Sequence, residues 1–161
     1  MIQKLKKWQE RAFTKYLFKQ DFIEEGSGRK VYKWRDWVIK VAKNRNGRRQ
    51  NKLEVERFKK YGKENLAEII AYSKKIVIME KVITFYENEN LDIDSDKAMA
   101  LTAWLDKICE VESIDHNDSQ GVAKDGRLVC YDYGDSKKTY TKRLAEELSF
   151  RELLASKQED Y

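Results

Sequence analysis

The chain has 161 residues, 41% of them hydrophobic and 38% charged, with a formal charge of +5. That length suits one domain, at most two small lobes, and the apolar share is enough for a core, which excludes a disordered chain. No run approaches a membrane span, the amino terminus has neither the apolar stretch nor the cleavage pattern of a signal peptide, and +5 permits acidic partners or nucleic acid without requiring them.

Residues 1–20 read as an amphipathic helix, with Ile2, Leu5, Trp8, Ala12 and Tyr16 at helical steps and Phe13 and Leu17 widening the stripe. Lys4, Lys6, Lys7, Arg11 and Lys15 lie largely off it. A stripe so rich in aromatics predicts a helix packed on the body with a solvated basic face, in preference to one lying on a membrane or a partner. Residues 22–25 predict a first strand leading into the turn Gly26-Ser27-Gly28. Glycines at such spacing let a backbone approach an anionic ligand closely, because a Cβ would block it. Two β-rich runs follow, 30–34 and 37–42, joined at Arg35-Asp36. Lys40 stands in the otherwise apolar run Val38-Ile39-Lys40-Val41-Ala42, and a lysine is almost never buried without an anionic partner.

Residues 43–50 are polar and carry Lys43, Arg45, Arg48 and Arg49, so they predict a flexible connection to a helix from about 49 to 61 that Gly62 ends. Glu54 and Glu56 on that helix are both candidates to meet Lys40. Residues 66–72 and 75–82 predict a hairpin turned at Ser73-Lys74, and the unbroken apolar run 76–79 predicts a central strand. Residues 85–94 are acidic and irregular, a connector. Asp94 or Ser95 caps a helix to about residue 113, and residues 137–157 predict another helix. Cys109 and Cys130 show no metal-ligand spacing and lie in apolar contexts, as buried thiols of a reducing cytoplasm do.

Residues 114–136 carry the chemistry. Asp115, His116, Asn117 and Asp118 sit in a polar loop, then a short strand, a turn at Asp125-Gly126, and an apolar strand that delivers Asp132 just before Tyr133-Gly134. A carboxylate presented at a strand end before a glycine suits a metal ligand.

The order Gly-x-Gly, strand lysine, helix glutamate, apolar strand, Asp loop and Asp-Tyr-Gly resembles the protein-kinase-like fold. Within it, Val38-Ile39-Lys40-Val41-Ala42-Lys43-Asn44, with Gly47, Gln50-Asn51 and Glu54 after it, is most similar to small phage-type kinase-like proteins. The resemblance implies an α+β fold: an antiparallel five-stranded sheet with one helix over residues 21–82, then a reduced helical lobe over 83–161. It implies ATP and Mg²⁺ as cofactors. Gly26, Ser27 and Gly28 would cover the phosphates and Lys40, paired with Glu54, would hold them. The Glu80 and Val82 backbone would meet the adenine, and Asp132 with Gln120 would hold Mg²⁺. Two registers place the catalytic base. Asp115, five residues before Gln120, is preferred; Asp118 would put Ala123 in the metal position, and Ala123 binds no metal.

The departures are Gln120 where kinases use asparagine, the absence of any proline and so of Ala-Pro-Glu, and only 27 residues after Gly134. These predict no peptide-substrate platform. Two readings follow, a minimal phosphotransferase and a pseudokinase that binds a protein partner. A third, carried by charge alone, is a nucleic-acid patch at Lys43, Arg45, Arg48 and Arg49 with nearby tryptophans to stack on bases.

Overall fold

The computed structural model describes residues 2–17, 22–84, 88, 94–109 and 119–134. Among them, chain order is β1 (Gln3–Lys4), α1 (Lys7–Leu17), β2 (Phe22–Glu25), β3 (Arg29–Trp34), β4 (Trp37–Ala42), α2 (Arg45–Tyr61), β5 (Ile69–Tyr72), β6 (Ile76–Glu80), β7 (Val82–Thr84), α3 (Ser95–Cys109), β8 (Gln120–Ala123) and β9 (Leu128–Cys130). The fold class is α+β. Strands β1-β5-β6-β4-β3-β2 form one mixed sheet, and β7-β8-β9 form a second.

The β3–β4 hairpin sets the register of the large sheet. Arg35 takes the positive φ, 54°, that tight two-residue hairpin turns demand, and Trp34 pairs with Trp37 across it. Val31 then lies opposite Lys40, which lies opposite Val77 on β6. Because side chains alternate along a strand, this row shares one face and its neighbours share the other. On that other face Tyr32, Ile39, Ala71, Ile76 and Ile78 close under α1 with Leu5 and Leu17. The face carrying Val77 and Met79 packs on Val55, Leu66, Leu105, Val129 and Tyr133, a core that reaches both α2 and the second sheet. Cys130 is buried in this core.

Several sequence expectations are corrected. The large sheet has six strands, not five, and β1 pairs parallel with β5, Gln3 opposite Ala71. The predicted helix over 1–20 is confined to 7–17, because the first residues form that edge strand and Lys6 caps the helix, its N–H donating to Gln9 Oε1 at 2.8 Å. The helix expected from residue 49 begins at Arg45. Asn44 caps it, accepting from the Gly47 N–H at 3.0 Å, and Gly62 ends it at φ 74°. The strand expected over 75–82 divides at Lys81, whose N–H goes to the Asp36 carbonyl at 2.9 Å while β7 leaves for the second sheet. Asp94 caps α3 through Oδ1, which accepts from Asp96 and Lys97 at 3.0 and 3.2 Å. The rest of the helix expected to residue 113, and the helix expected over 137–157, lie outside the described residues. Packing of α1 on the sheet follows the expectation in part: Leu17 is buried and Phe13 meets Trp34 edge to face at 5.9 Å, but Trp8 and Tyr16 of the expected stripe are 66% and 68% exposed. Among the described residues no helix is long and apolar enough to cross a membrane.

Candidate functional site

Four charged side chains, from β3, β4, α2 and the segment after β9, meet where the large sheet, α2 and the end of β9 converge. Strand β4 sends Lys40 toward α2, where it is 3% exposed. Helix α2 turns Gly47, Asn51, Glu54 and Val55 inward, so Glu54 is completely buried while Glu56 points outward beside Lys52. Glu54 is therefore the lysine's partner, at 2.7 Å. The other two donors of the Lys40 ammonium go to the Tyr131 carbonyl at 2.6 Å and to Asp132 Oδ1 at 3.3 Å.

The fourth group was not singled out in the sequence. Arg29 opens β3 directly after Gly28, and its guanidinium joins both carboxylates. Nη2 donates to Asp132 Oδ1 at 2.6 Å, and Nη1 stands 2.8 Å from Glu54 Oε1 as an ion pair without an aligned hydrogen bond. Glu54 Oε1 and Asp132 Oδ1 are thus each shared by Arg29 and Lys40, and two positive and two negative charges alternate around a ring. The register could have revealed this. Val31 faces Lys40, and Arg29, two residues back on the same strand, lies on the same face.

Charge placement explains the titration. Burial pushes the Asp132 carboxyl up, but Lys40 and Arg29 outweigh it and hold it well below the usual carboxylate range. Burial pulls Arg29 down, and Glu54 with Asp132 outweigh it in the other direction, so the guanidinium stays charged. The Asp132 side chain is 44% exposed and is the member of the ring open to solvent. Beside it, Tyr133 is fully buried, its hydroxyl donating to the Ala67 carbonyl at 2.9 Å and its own carbonyl accepting from Arg57. Burial is the leading reason its phenol titrates well above the ordinary value. A Cβ on Gly134 would stand 2.9 Å from the Gln50 carbonyl oxygen, so glycine there lets the Asp-Tyr-Gly segment lie against α2.

The glycine turn is held down by the chain that follows β4. The Gly26 carbonyl accepts from Lys43 Nζ at 3.1 Å, the Ser27 carbonyl from Asn44 Nδ2 at 2.9 Å, and the Gly28 carbonyl from the Lys43 N–H at 2.9 Å. A Cβ on Gly28 would stand 3.0 Å from the Gly47 nitrogen and 2.7 Å from Gln50 Oε1. The approach of Gly28 to Gly47 accounts for glycine at both positions without a ligand. Lys43 also pairs with Glu25, which engages one of the four cations of the expected nucleic-acid patch.

Glu80 and Val82 flank Lys81 at the passage between sheets. The Glu80 carboxylate accepts from the Glu68 N–H at 2.6 Å and from Arg127 Nη2 at 3.0 Å, and its own N–H goes to the Glu68 carbonyl. Val82 is buried and pairs with Ala123. Gln120 is buried beneath α3, with Nε2 bonded to the Ala98 carbonyl at 3.1 Å and to Thr102, and with Oε1 lacking a partner. Asp115 and Asp118 lie outside the described residues.

As arranged, Asp132 Oδ1 is not free for a divalent cation: it accepts from Arg29 Nη2 at 2.6 Å and lies 3.3 Å from Lys40 Nζ. Among the described residues, no three His, Cys, Asp or Glu side chains are grouped to hold a metal.

No protein-family model matches the chain, and no curated protein sequence does. Among solved structures it is similar to WbdD, crystallised with a kinase inhibitor, at 13% identity and a TM-score of 0.46 over 72% of this chain. It spans 33% of that chain. It is also similar to APH(2″)-IIa, solved as a ternary complex with streptomycin and ATP, at 16% identity and a TM-score of 0.45, over 84% of this chain and 72% of that one.

Proposed function

We propose that this is a kinase-like protein that binds ATP at the Lys40 cluster. The observation that carries the reading is the triad of Lys40, Glu54 at 2.7 Å and Asp132 at 3.3 Å. It is delivered by a strand, a helix and the end of a second strand in the order the resemblance requires. Lys40, fixed by Glu54, would hold the phosphates, with Gly26, Ser27 and Gly28 beside them and the Glu80–Val82 passage next to the adenine. Phosphoryl transfer asks the protein mainly for positioning and charge neutralisation, which a rigid buried lysine supplies. Asp115 is the proposed base that orients and deprotonates an acceptor hydroxyl.

A second reading, a pseudokinase whose surface serves a protein partner, is favoured by Arg29. Its guanidinium engages Oδ1 of Asp132, the residue that the resemblance assigns to metal. Thermal melting with ATP tests the nucleotide site. Ligand at about a hundred times its dissociation constant adds about 2.7 kcal/mol, a rise of roughly 5–11 °C for a chain this size. The rise should vanish in Lys40→Ala. A wild-type melt that ATP leaves unmoved would refute the site. Phosphate transfer that is lost in Asp115→Asn would favour the enzyme, and nucleotide binding without any transfer the pseudokinase.

A further inference from the structure

We propose that Arg29 takes the place of the metal ion at Asp132, so that the site accepts the free nucleoside triphosphate and not its divalent-metal complex. The inference rests on the nucleotide reading above and deepens it.

The geometry supplies each step. A metal between an aspartate and a triphosphate presents one positive centre to both. Arg29 Nη2 already occupies the aspartate side of that position, 2.6 Å from Oδ1. The guanidinium is buried and rooted on β3, so it cannot withdraw to solvent as a surface arginine could. Its Nη1 is buried 2.8 Å from Glu54 Oε1, an ion pair in which the N–H is not aligned on the oxygen. Guanidinium is a planar fork suited to phosphate oxygens, and it carries more N–H donors than its two carboxylate contacts use. Lys40 shares both carboxylates with Arg29, so a phosphate entering beside Asp132 approaches two fixed cations together with the carboxylate they neutralise. A divalent ion that took Asp132 Oδ1 would have to displace Arg29 and leave that guanidinium to Glu54 alone.

The test is ATP binding by calorimetry in EDTA and in excess Mg²⁺, for the wild type, Arg29→Met and Arg29→Lys. The wild type should bind in EDTA at least as tightly as in Mg²⁺. Arg29→Met should bind at least tenfold more weakly in EDTA and recover with Mg²⁺, and Arg29→Lys should fall between. Wild-type binding tenfold tighter with Mg²⁺ would overturn the inference and leave the nucleotide reading standing. Arg29→Met binding in EDTA like the wild type would do the same. If the wild type binds ATP in neither buffer, the nucleotide reading fails and this inference with it. The two wild-type arms decide the matter even if Arg29→Met does not fold.

Discussion

Replacing Glu54 by glutamine tests whether the charge ring holds the two halves of the site together. Glu54 is fully buried and touches two cations, Lys40 at 2.7 Å and Arg29 at 2.8 Å. At an effective dielectric near 20, each contact carries roughly 6 kcal/mol of attraction. Desolvation of several kcal/mol per ion opposes it. Glutamine keeps the shape and removes the charge, leaving two buried cations to share Asp132. Breaking a buried pair in this way costs about 3–5 kcal/mol. For a chain this size that lowers Tm by roughly 6–20 °C. The assay is urea denaturation beside a Glu56→Gln control, whose carboxylate is exposed and 3.6 Å from Lys52, so its loss should stay within about 0.5 kcal/mol. Adding Arg29→Met to Glu54→Gln removes one stranded cation, and the double variant should be less unstable than the sum of its parts. A Glu54→Gln loss below about 1 kcal/mol, indistinguishable from the control, would refute a structural role for the ring.

Asp132 makes part of the stability pH-dependent. Its folded pKa lies below the ordinary 3.8, so between the two values the unfolded chain binds the extra proton. Its contribution should be complete above pH about 5 and fade as pH falls through 4 toward the folded value; the wild-type Tm profile should converge there on that of Asp132→Asn, and a constant offset down to pH 2 would contradict this. Gly47→Ala should destabilise by about 1–3 kcal/mol in urea melts, despite the roughly 1 kcal/mol alanine gains in a helix. Its methyl would fall on the Gly28 carbonyl oxygen and 3.1 Å from the Ala42 Cα, both backbone; a stabilised variant would show that the glycine turn is not packed on α2. Tyr133→Phe removes the hydroxyl that meets the Ala67 carbonyl at 2.9 Å and should cost about 1–2 kcal/mol by the same assay; an unchanged midpoint would mean that the carbonyl finds another donor.

Legibility in the sequence followed the reach of each interaction. Strands β2, β3 and β4 were readable from β-branched and aromatic runs and a two-residue turn, all within about twenty residues of one another. The partnership of Lys40 with Glu54 was readable as one of two candidates, and the helix face decides it, since Gly47, Asn51 and Glu54 lie inward together and Glu56 does not. Most of what failed depends on distant contacts. A two-residue strand such as β1 has no period of its own and exists because Ala71 and Tyr72 pair with it. The first turn of α2 has no apolar stripe and is held by the Asn44 cap and the approach to Gly28. Lys81 ends β6 because its N–H finds Asp36 on the β3–β4 turn.

Arg29 belongs to neither group. Counting back from the Arg35-Asp36 turn puts it on the face of Lys40, so its position was readable from the pleat alone. Its role was not, because Arg29 appears in the sequence as a residue filling a glycine-rich turn, where attention falls on the backbone. Its meaning depends on Asp132, 103 residues later. An aspartate before Tyr-Gly suggests metal from the sequence, and here the Arg29 guanidinium lies 2.6 Å from its Oδ1. The same motif can therefore be read as a metal ligand or as one member of an internal ring of charges. What separates them is one side chain on the facing strand, and ATP binding with and without divalent metal reads that difference directly.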